Sequence, residues 1–152
     1  MKPLYSHILL PTDGSQLASR GAKAGVQLAK ALGAKVTVVF VGAPYAAAVY
    51  GGAEVFPAGP SSPREHKRFS QEAAQKAFAP VALAAKRAGV DCATVLAENS
   101  RPWEGIVKTA RARKCDAIVM ASHGRGGLAG LFLGSETQRV LAHSKLPVLV
   151  IR

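Results

Sequence analysis

Five short, largely apolar stretches recur along this chain, separated by segments of helical period. They read HILLPTD (7–13), AKVTVVFVG (34–42), VDCATVLAE (90–98), CDAIVMAS (115–122) and LPVLVIR (146–152). A strand without a polar face must be covered on both sides, which is the condition of a parallel sheet held between helical layers. The intervening segments supply those helices. Residues 15–33 put Leu17, Gly21, Ala24, Leu28 and Leu32 on one face and end on Gly33, which fits a C-cap. Residues 63–89 repeat with Phe69, Ala73, Ala77, Val81, Ala84 and Ala88. Pro63 suits the first turn there, and Pro80 should kink or interrupt the helix. Residues 101–114 turn Trp103, Val107 and Ala110 inward, and 135–144 form a short last helix.

The order is β-α-β-α-β-α-β-α-β, without internal repeat or domain boundary. Right-handed crossovers then predict an α/β fold: a single domain over 1–152 with a doubly wound, five-stranded parallel sheet, one reversal of strand order, for which 3-2-1-4-5 is the order expected, and helices on both faces. Such sheets bind ligands at the switch point, beyond the carboxyl ends of the strands. The segment 43–62, APYAAAVYGGAEVFPAGPSS, has no steady period and reads as a flexible loop of the length that often serves as a lid.

The formal net charge is +11, from 20 Lys and Arg against 9 Asp and Glu, so the chain attracts anions. Its cations are spread along the sequence: Arg64, Lys67 and Arg68, then Lys86 and Arg87, then Lys108, Arg111, Arg113 and Lys114. Few aromatic residues are interleaved to stack bases, which argues against nucleic acid as a partner. No apolar run reaches the length of a membrane span, and the opening MKPLYSHILLPTDGS lacks a signal-peptide pattern. Cys92 and Cys115 have no metal spacing and read as reduced packing residues, consistent with a cytoplasmic location; spacing alone leaves a disulfide open.

The stretch ASHGRGGLAGLFLGSET (121–137) carries five glycines, follows the fourth strand and closes on the start of the last helix. Glycines let backbone approach a ligand, successive N–H groups form an anion nest, and a helix N-terminus adds a positive dipole end. This edge is suited to phosphates, with a base or sugar lying across strands 1 and 2. It is not a Walker A loop, since no Gly-Lys-Ser/Thr occurs. Gly124, Gly126 and Ala129 match G-x-G-x-x-A only weakly, because the loop follows the fourth strand rather than the first.

The PTDGS of the first strand, ASHGRGGL after the fourth and the ending GSETQRVLAHSKLPVLVIR resemble the universal stress proteins, along essentially the whole chain. Nucleotide-binding members carry Gly-x-x-Gly, nine residues, then Gly-Ser/Thr. Here that frame falls on Ala121, Gly124, Gly134 and Ser135, with the gap 125–133 intact and Ala121 in place of the first glycine. The resemblance implies a Rossmann-like fold. It also implies an adenine pocket at Pro11, Thr12, Asp13 and Val41, and ribose and phosphate contacts at Met120, Ala121, Gly124, Gly134, Ser135 and the following Glu136 and Thr137. Arg125 is weighed equally as a phosphate ligand and as an exposed loop cation. Glu136 is a second departure, because a carboxylate beside a triphosphate is repulsive unless a cation or Arg125 intervenes or it turns outward.

Plainer roles compete. Ser135 and Gln138 fit a capping box, and Asp13 or Ser15 could cap the first helix. His123 reads as a hydrogen-bonded loop residue and Trp103 as an anchor of its helix in the core. The last strand is an apolar edge that would be covered by its own copy, and the resemblance likewise implies a homodimer joined through Val148 to Ile151. The leading expectation is a stress-response protein that binds ATP, with or without Mg2+, as a regulatory ligand. No hydrolytic base or carboxylate cluster for magnesium stands out, so slow or absent turnover is expected. The alternatives are a dimeric interaction module of the same fold that binds no nucleotide, acting through partner proteins, and a nucleotide hydrolase or transferase using His123 or Asp13, supported by fold analogy alone.

Overall fold

The computed structural model describes residues 3–50, 60–123 and 132–152. Five strands, β1 (His7–Pro11), β2 (Lys35–Gly42), β3 (Cys92–Glu98), β4 (Ala117–Ala121) and β5 (Val148–Ile151), form one parallel sheet in the order β3-β2-β1-β4-β5. The helices are α1 (Gln16–Leu32), α2 (Tyr45–Tyr50), α3 (Pro63–Ala88), α4 (Pro102–Ala112) and α5 (Ser135–His143).

The period of two in β1 divides the core. Ile8 and Leu10 point to the layer of α1 and α3, where they meet Val26, Phe78 and Val81. Leu9 points to the layer of α4 and α5 and meets Ile106, Ile118 and Val140. Strands β1 and β4 are buried at every position. The edge strands β3 and β5 are not, and Leu96 and Leu149 are exposed. Full burial on both faces thus holds at the sheet centre and fails at its edges, where the helical layers no longer overlap the strand.

The buried face of α1 is turned from the expected one. It is Ala18, Gly21, Ala22, Gly25, Val26 and Ala29, while Leu17, Leu28 and Leu32 sit at its margin. Two glycines explain the turn. A Cβ at Gly25 would run into Leu10, and one at Gly21 would come to 3.0 Å from the backbone N of Ala121. The helix lies directly on the sheet there, and no side chain fits between.

Helix α3 runs without interruption through Pro80, where a kink or an interruption was expected. Buried anchors on both sides, Ala77 and Phe78 before it and Val81 and Ala85 after, hold the helix on the sheet while one backbone bond is missing. Phe69 is exposed rather than inward, and the Arg68 guanidinium lies 5.3 Å from its ring centre. The long segment 43–62 is not wholly loop: Tyr45–Tyr50 is helical, as its run of alanines favours, and residues 51–59 lie outside the described residues. No helix among the described residues is long and apolar enough to cross a membrane.

Candidate functional site

The strand order reverses between β1 and β4, and the carboxyl ends of both strands are buried. Beyond β1 the chain makes a tight turn. Thr12 donates its N–H to the Val39 carbonyl at 2.9 Å and keeps its hydroxyl buried, accepting from Gly14 N–H at 3.2 Å. Asp13 accepts from Ser15 N–H at 2.9 Å, and Gly14 takes φ +83°. Ser15 is the N-cap of α1, accepting from Ala18 N–H at 3.2 Å. Asp13 therefore shapes the turn and Ser15 caps the helix. Across from them Val41 is half-buried at the end of β2. Helix α4 closes against it at Gly105, whose hypothetical Cβ would lie 2.7 Å from Val41 Cγ1.

The opposite wall is the end of β4, with Pro11, Met120 and Ala121 all buried. The methyl group of Ala121 faces Gly21 of α1, since a Cβ there would stand 3.1 Å from it. Ser122, which the sequence reading passed over, is buried and contacts His123 Nδ1 through its hydroxyl at 2.9 Å.

The start of α5 is tied back onto this strand end. Gly134 donates its N–H to the Ser122 carbonyl at 2.8 Å, and a Cβ on Gly134 would press to 3.2 Å from the same oxygen. The buried Thr137 hydroxyl donates to the carbonyls of Ala121 (3.1 Å) and Ser122 (3.2 Å). These bonds bring 121–123 and 134–137 together and close the mouth of the glycine-rich segment. Gly124 and Arg125, both expected at the site, lie outside the described residues.

The expected capping box does not form. Gly134 is the N-cap of α5 and has no side chain to cap with, Gln138 donates its side-chain amide to Leu133 O at 2.7 Å, and Ser135 is exposed in the first turn. Glu136 takes a different part. Its Oε2 accepts from Trp103 N–H at 2.7 Å and its Oε1 pairs with Arg139 at 3.2 Å. The N-cap of α4, Arg101, makes no side-chain cap bond, so Glu136 supplies a carboxylate to that helix start from a neighbouring helix. Trp103 is half-buried and stacks on His143, with centroids 4.2 Å apart. It seals the α4–α5 seam at the margin of the core.

The two cysteines are free, on opposite sides of β1 in the sheet. Burial pushes the Cys115 thiol up to about 11 and raises that of Cys92, so both stay protonated. No cluster of metal-binding side chains occurs among the described residues.

A sequence profile of the universal stress protein family matches residues 4–152. The chain belongs to the universal stress protein family. A universal stress protein of Thermus aquaticus is 35% identical over 149 residues, spanning 98% of this chain and all of that one. Among solved structures, that of the protein MJ0577 superposes with a TM-score of 0.75 at 26% identity, covering 97% of this chain and 96% of the other. A universal stress protein crystallised in complex with cAMP superposes with a TM-score of 0.63 at 26% identity, over 97% of each chain. These likenesses agree with the strand order and helical layers described above.

Proposed function

We propose that this protein is a cytoplasmic stress-response protein that binds an adenine nucleotide, with ATP as its regulatory ligand, at the carboxyl edge between β1 and β4. One observation carries the reading. The start of α5, capped by a glycine without a side chain, is held by Gly134 and Thr137 against the end of β4 at the switch point of the sheet. A helix start of this kind offers backbone N–H groups and a positive dipole end to phosphate. The adenine then lies against Pro11, Thr12, Asp13 and Val41, and the ribose and phosphates against Met120, Ala121, Gly124, Arg125, Gly134, Ser135 and Thr137.

The surroundings of the two departures from the family's nucleotide-binding frame are compatible with this reading. The Ala121 methyl is turned to Gly21, and the Glu136 carboxylate is engaged by α4 and Arg139. Glu136 acts here by holding α5 to α4 rather than by touching the ligand. The complex of a relative with cAMP supports an adenine ring in this fold. Slow or absent turnover is expected, since the sequence offers no clear hydrolytic base and no carboxylate cluster for magnesium. The exposed outer edge of β5 pairs two copies into a homodimer through Val148 to Ile151.

The test begins with gently purified protein, denatured, and its released small molecules analysed by mass spectrometry. The stripped protein is then titrated with ATP and magnesium by calorimetry. Released adenine nucleotide, or micromolar binding lost in Gly124→Val, supports the reading. No released nucleotide and no heat at millimolar ATP would overturn it and favour the interaction module instead.

A further inference from the structure

The cations that look scattered in sequence gather at one end of the fold. In a doubly wound sheet every helix-to-strand turn lies at the amino edge, opposite the site above. The turn from α1 to β2 carries Lys30 and Lys35, and that from α3 to β3 carries Lys86 and Arg87. The turn from α4 to β4 carries Arg111, Arg113 and Lys114, and Lys145 lies between α5 and β5. All eight are exposed, and none is in a salt bridge among the described residues. The rows are contiguous: Lys35 N–H bonds to Ser6 O, Val36 N–H to Asp91 O, and Asp116 N–H to His7 O. Of the two carboxylates here, Asp116 is consumed by Ser6 and the His7 N–H. Helix C-termini contribute about half a negative charge each, so four of them and two aspartates still leave a surplus of about four positive charges.

The helix dipole accounts for cations in the last turns, at Lys30, Lys86, Arg87 and Arg111. It favours the charge of Lys114 as well, but not that residue's backbone. The turns after α1 and α3 end in the same hydrogen-bond pattern, with Gly33 and Gly89 in the left-handed conformation that favours glycine. After α4 the pattern repeats, with Lys114 N–H on Arg111 O at 3.1 Å and Cys115 N–H on Ala110 O at 2.9 Å. Here the left-handed residue is a lysine, at φ +55°, the one non-glycine with positive φ among the described residues. A charge is kept where the backbone favours glycine, and such an outlier points to function.

We infer that the amino edge binds the phosphate backbone of a nucleic-acid duplex without reading sequence. The edge is five strands wide, about 19 Å at strand spacing, and the basic turns stand on both sides of it. Such spacing suits a row of phosphates, and no small ligand spans it. A protein partner or a membrane would call for a cluster of apolar side chains at the centre of the patch. Leu4, exposed beside the central strand, is a single apolar side chain among eight exposed cations. Single strands would call for stacking aromatics, which the turns lack. The expectation from sequence against nucleic acid rested on dispersal of the cations and on the lack of interleaved aromatic residues; the topology removes the first ground, and the second bears on single strands rather than on a duplex.

The test measures fluorescence anisotropy of a labelled mixed-sequence DNA duplex of about two helical turns, with full-length protein, across a series of salt concentrations. The expected slope of log K against log salt is about −4, at about −0.9 per phosphate contacted. Neutralising Lys86, Arg87, Arg113 and Lys114 to Gln should remove most of that slope. The control neutralises Arg20, Lys23, Arg64 and Lys67, which gives the same net charge and leaves the amino edge intact. Lys114→Gly should raise the thermal midpoint and lower the slope by about one, whereas Lys114→Arg should keep the slope. Equal losses in edge and control variants, a lower midpoint in Lys114→Gly, or binding to anionic vesicles without binding to the duplex would each overturn the inference. Loss of ATP binding in Gly124→Val leaves this test untouched.

Discussion

Replacing Glu136 by Gln separates two roles for a carboxylate beside a phosphate site. In the structure the charge faces the N-terminus of α4 and Arg139, with the side chain about one-third exposed. A carboxylate at a helix start contributes about 0.3–1 kcal/mol, and an exposed ion pair such as this adds about 0–0.5 kcal/mol after screening. Gln keeps an acceptor for Trp103 N–H but not the charge, so the loss should be about 1 kcal/mol, or about 2–4 °C in Tm for a chain of this length. Ala, which leaves that N–H without its acceptor, should lose about 1–2 kcal/mol. ATP affinity should stay within about twofold of wild type. A carboxylate about 4 Å from a phosphate would behave differently, because repulsion of about 1 to 4 kcal/mol would be relieved and ATP would bind about fivefold to several hundredfold tighter. Thermal unfolding and ATP calorimetry on both variants decide it. A Gln variant as stable as wild type, with markedly tighter ATP, would refute the placement of Glu136.

Four further outcomes follow from particular residues. His7 is buried with its Nε2 2.8 Å from the Thr37 hydroxyl, and burial, aided by Lys35, lowers its pKa below the ordinary 6.5. The unfolded chain then binds the proton more readily, so stability should be full above about pH 6.5 and fall as pH drops below it, and urea midpoints for His7→Gln should lose that slope. Asp116 has its pKa lowered by its bonds to Ser6 and His7, against the penalty of burial, so its contribution is present above the ordinary 3.8 and is lost at still lower pH. Leu149→Lys, at an exposed position of β5, should convert a dimer to monomer in analytical ultracentrifugation without lowering Tm of the protomer by more than about 2 °C, and an unchanged dimer would remove β5 from the interface. Gly21→Ala presses a methyl onto the Ala121 backbone at about 3.0 Å; the strain of about 1–3 kcal/mol should outweigh the roughly 1 kcal/mol gained in helix propensity, and a rise in Tm would refute that packing.

The sheet was legible because its signals are local. Apolar runs, the glycine C-cap at Gly33, and the alternation of strand and helix each need only a few neighbouring residues, and right-handed crossovers leave few ways to join them. The errors lie where tertiary contacts compete with a local preference. Pro80 opposes a helix, yet buried residues on both sides of it hold α3 together. Leucines favour burial, yet α1 turns its glycines and alanines inward because closeness to Leu10 and Ala121 matters more there than side-chain volume. Phe69 fits a helical stripe but is exposed among the described residues, beside the Arg68 guanidinium.

The same distinction governs the candidate site. Thr12, Asp13, Gly134 and Ser135 could be read from the chain because their setting is a strand end followed by a helix start. Ala121 and Glu136 depart from the family's frame, and each meets a residue far away in sequence: the Ala121 methyl lies against Gly21, and the Glu136 carboxylate against the start of α4. These are paired features, and one member alone carries no sign of the other. The amino edge obeys the same logic on a larger scale. Four turns, each with a modest basic content that a helix dipole would largely explain, become one positive surface only when the sheet lines them up. At Lys114 the dipole favours the charge but the backbone favours glycine, which serves the same turn twice elsewhere in this chain, and that makes it the residue on which the charge of this edge is best tested.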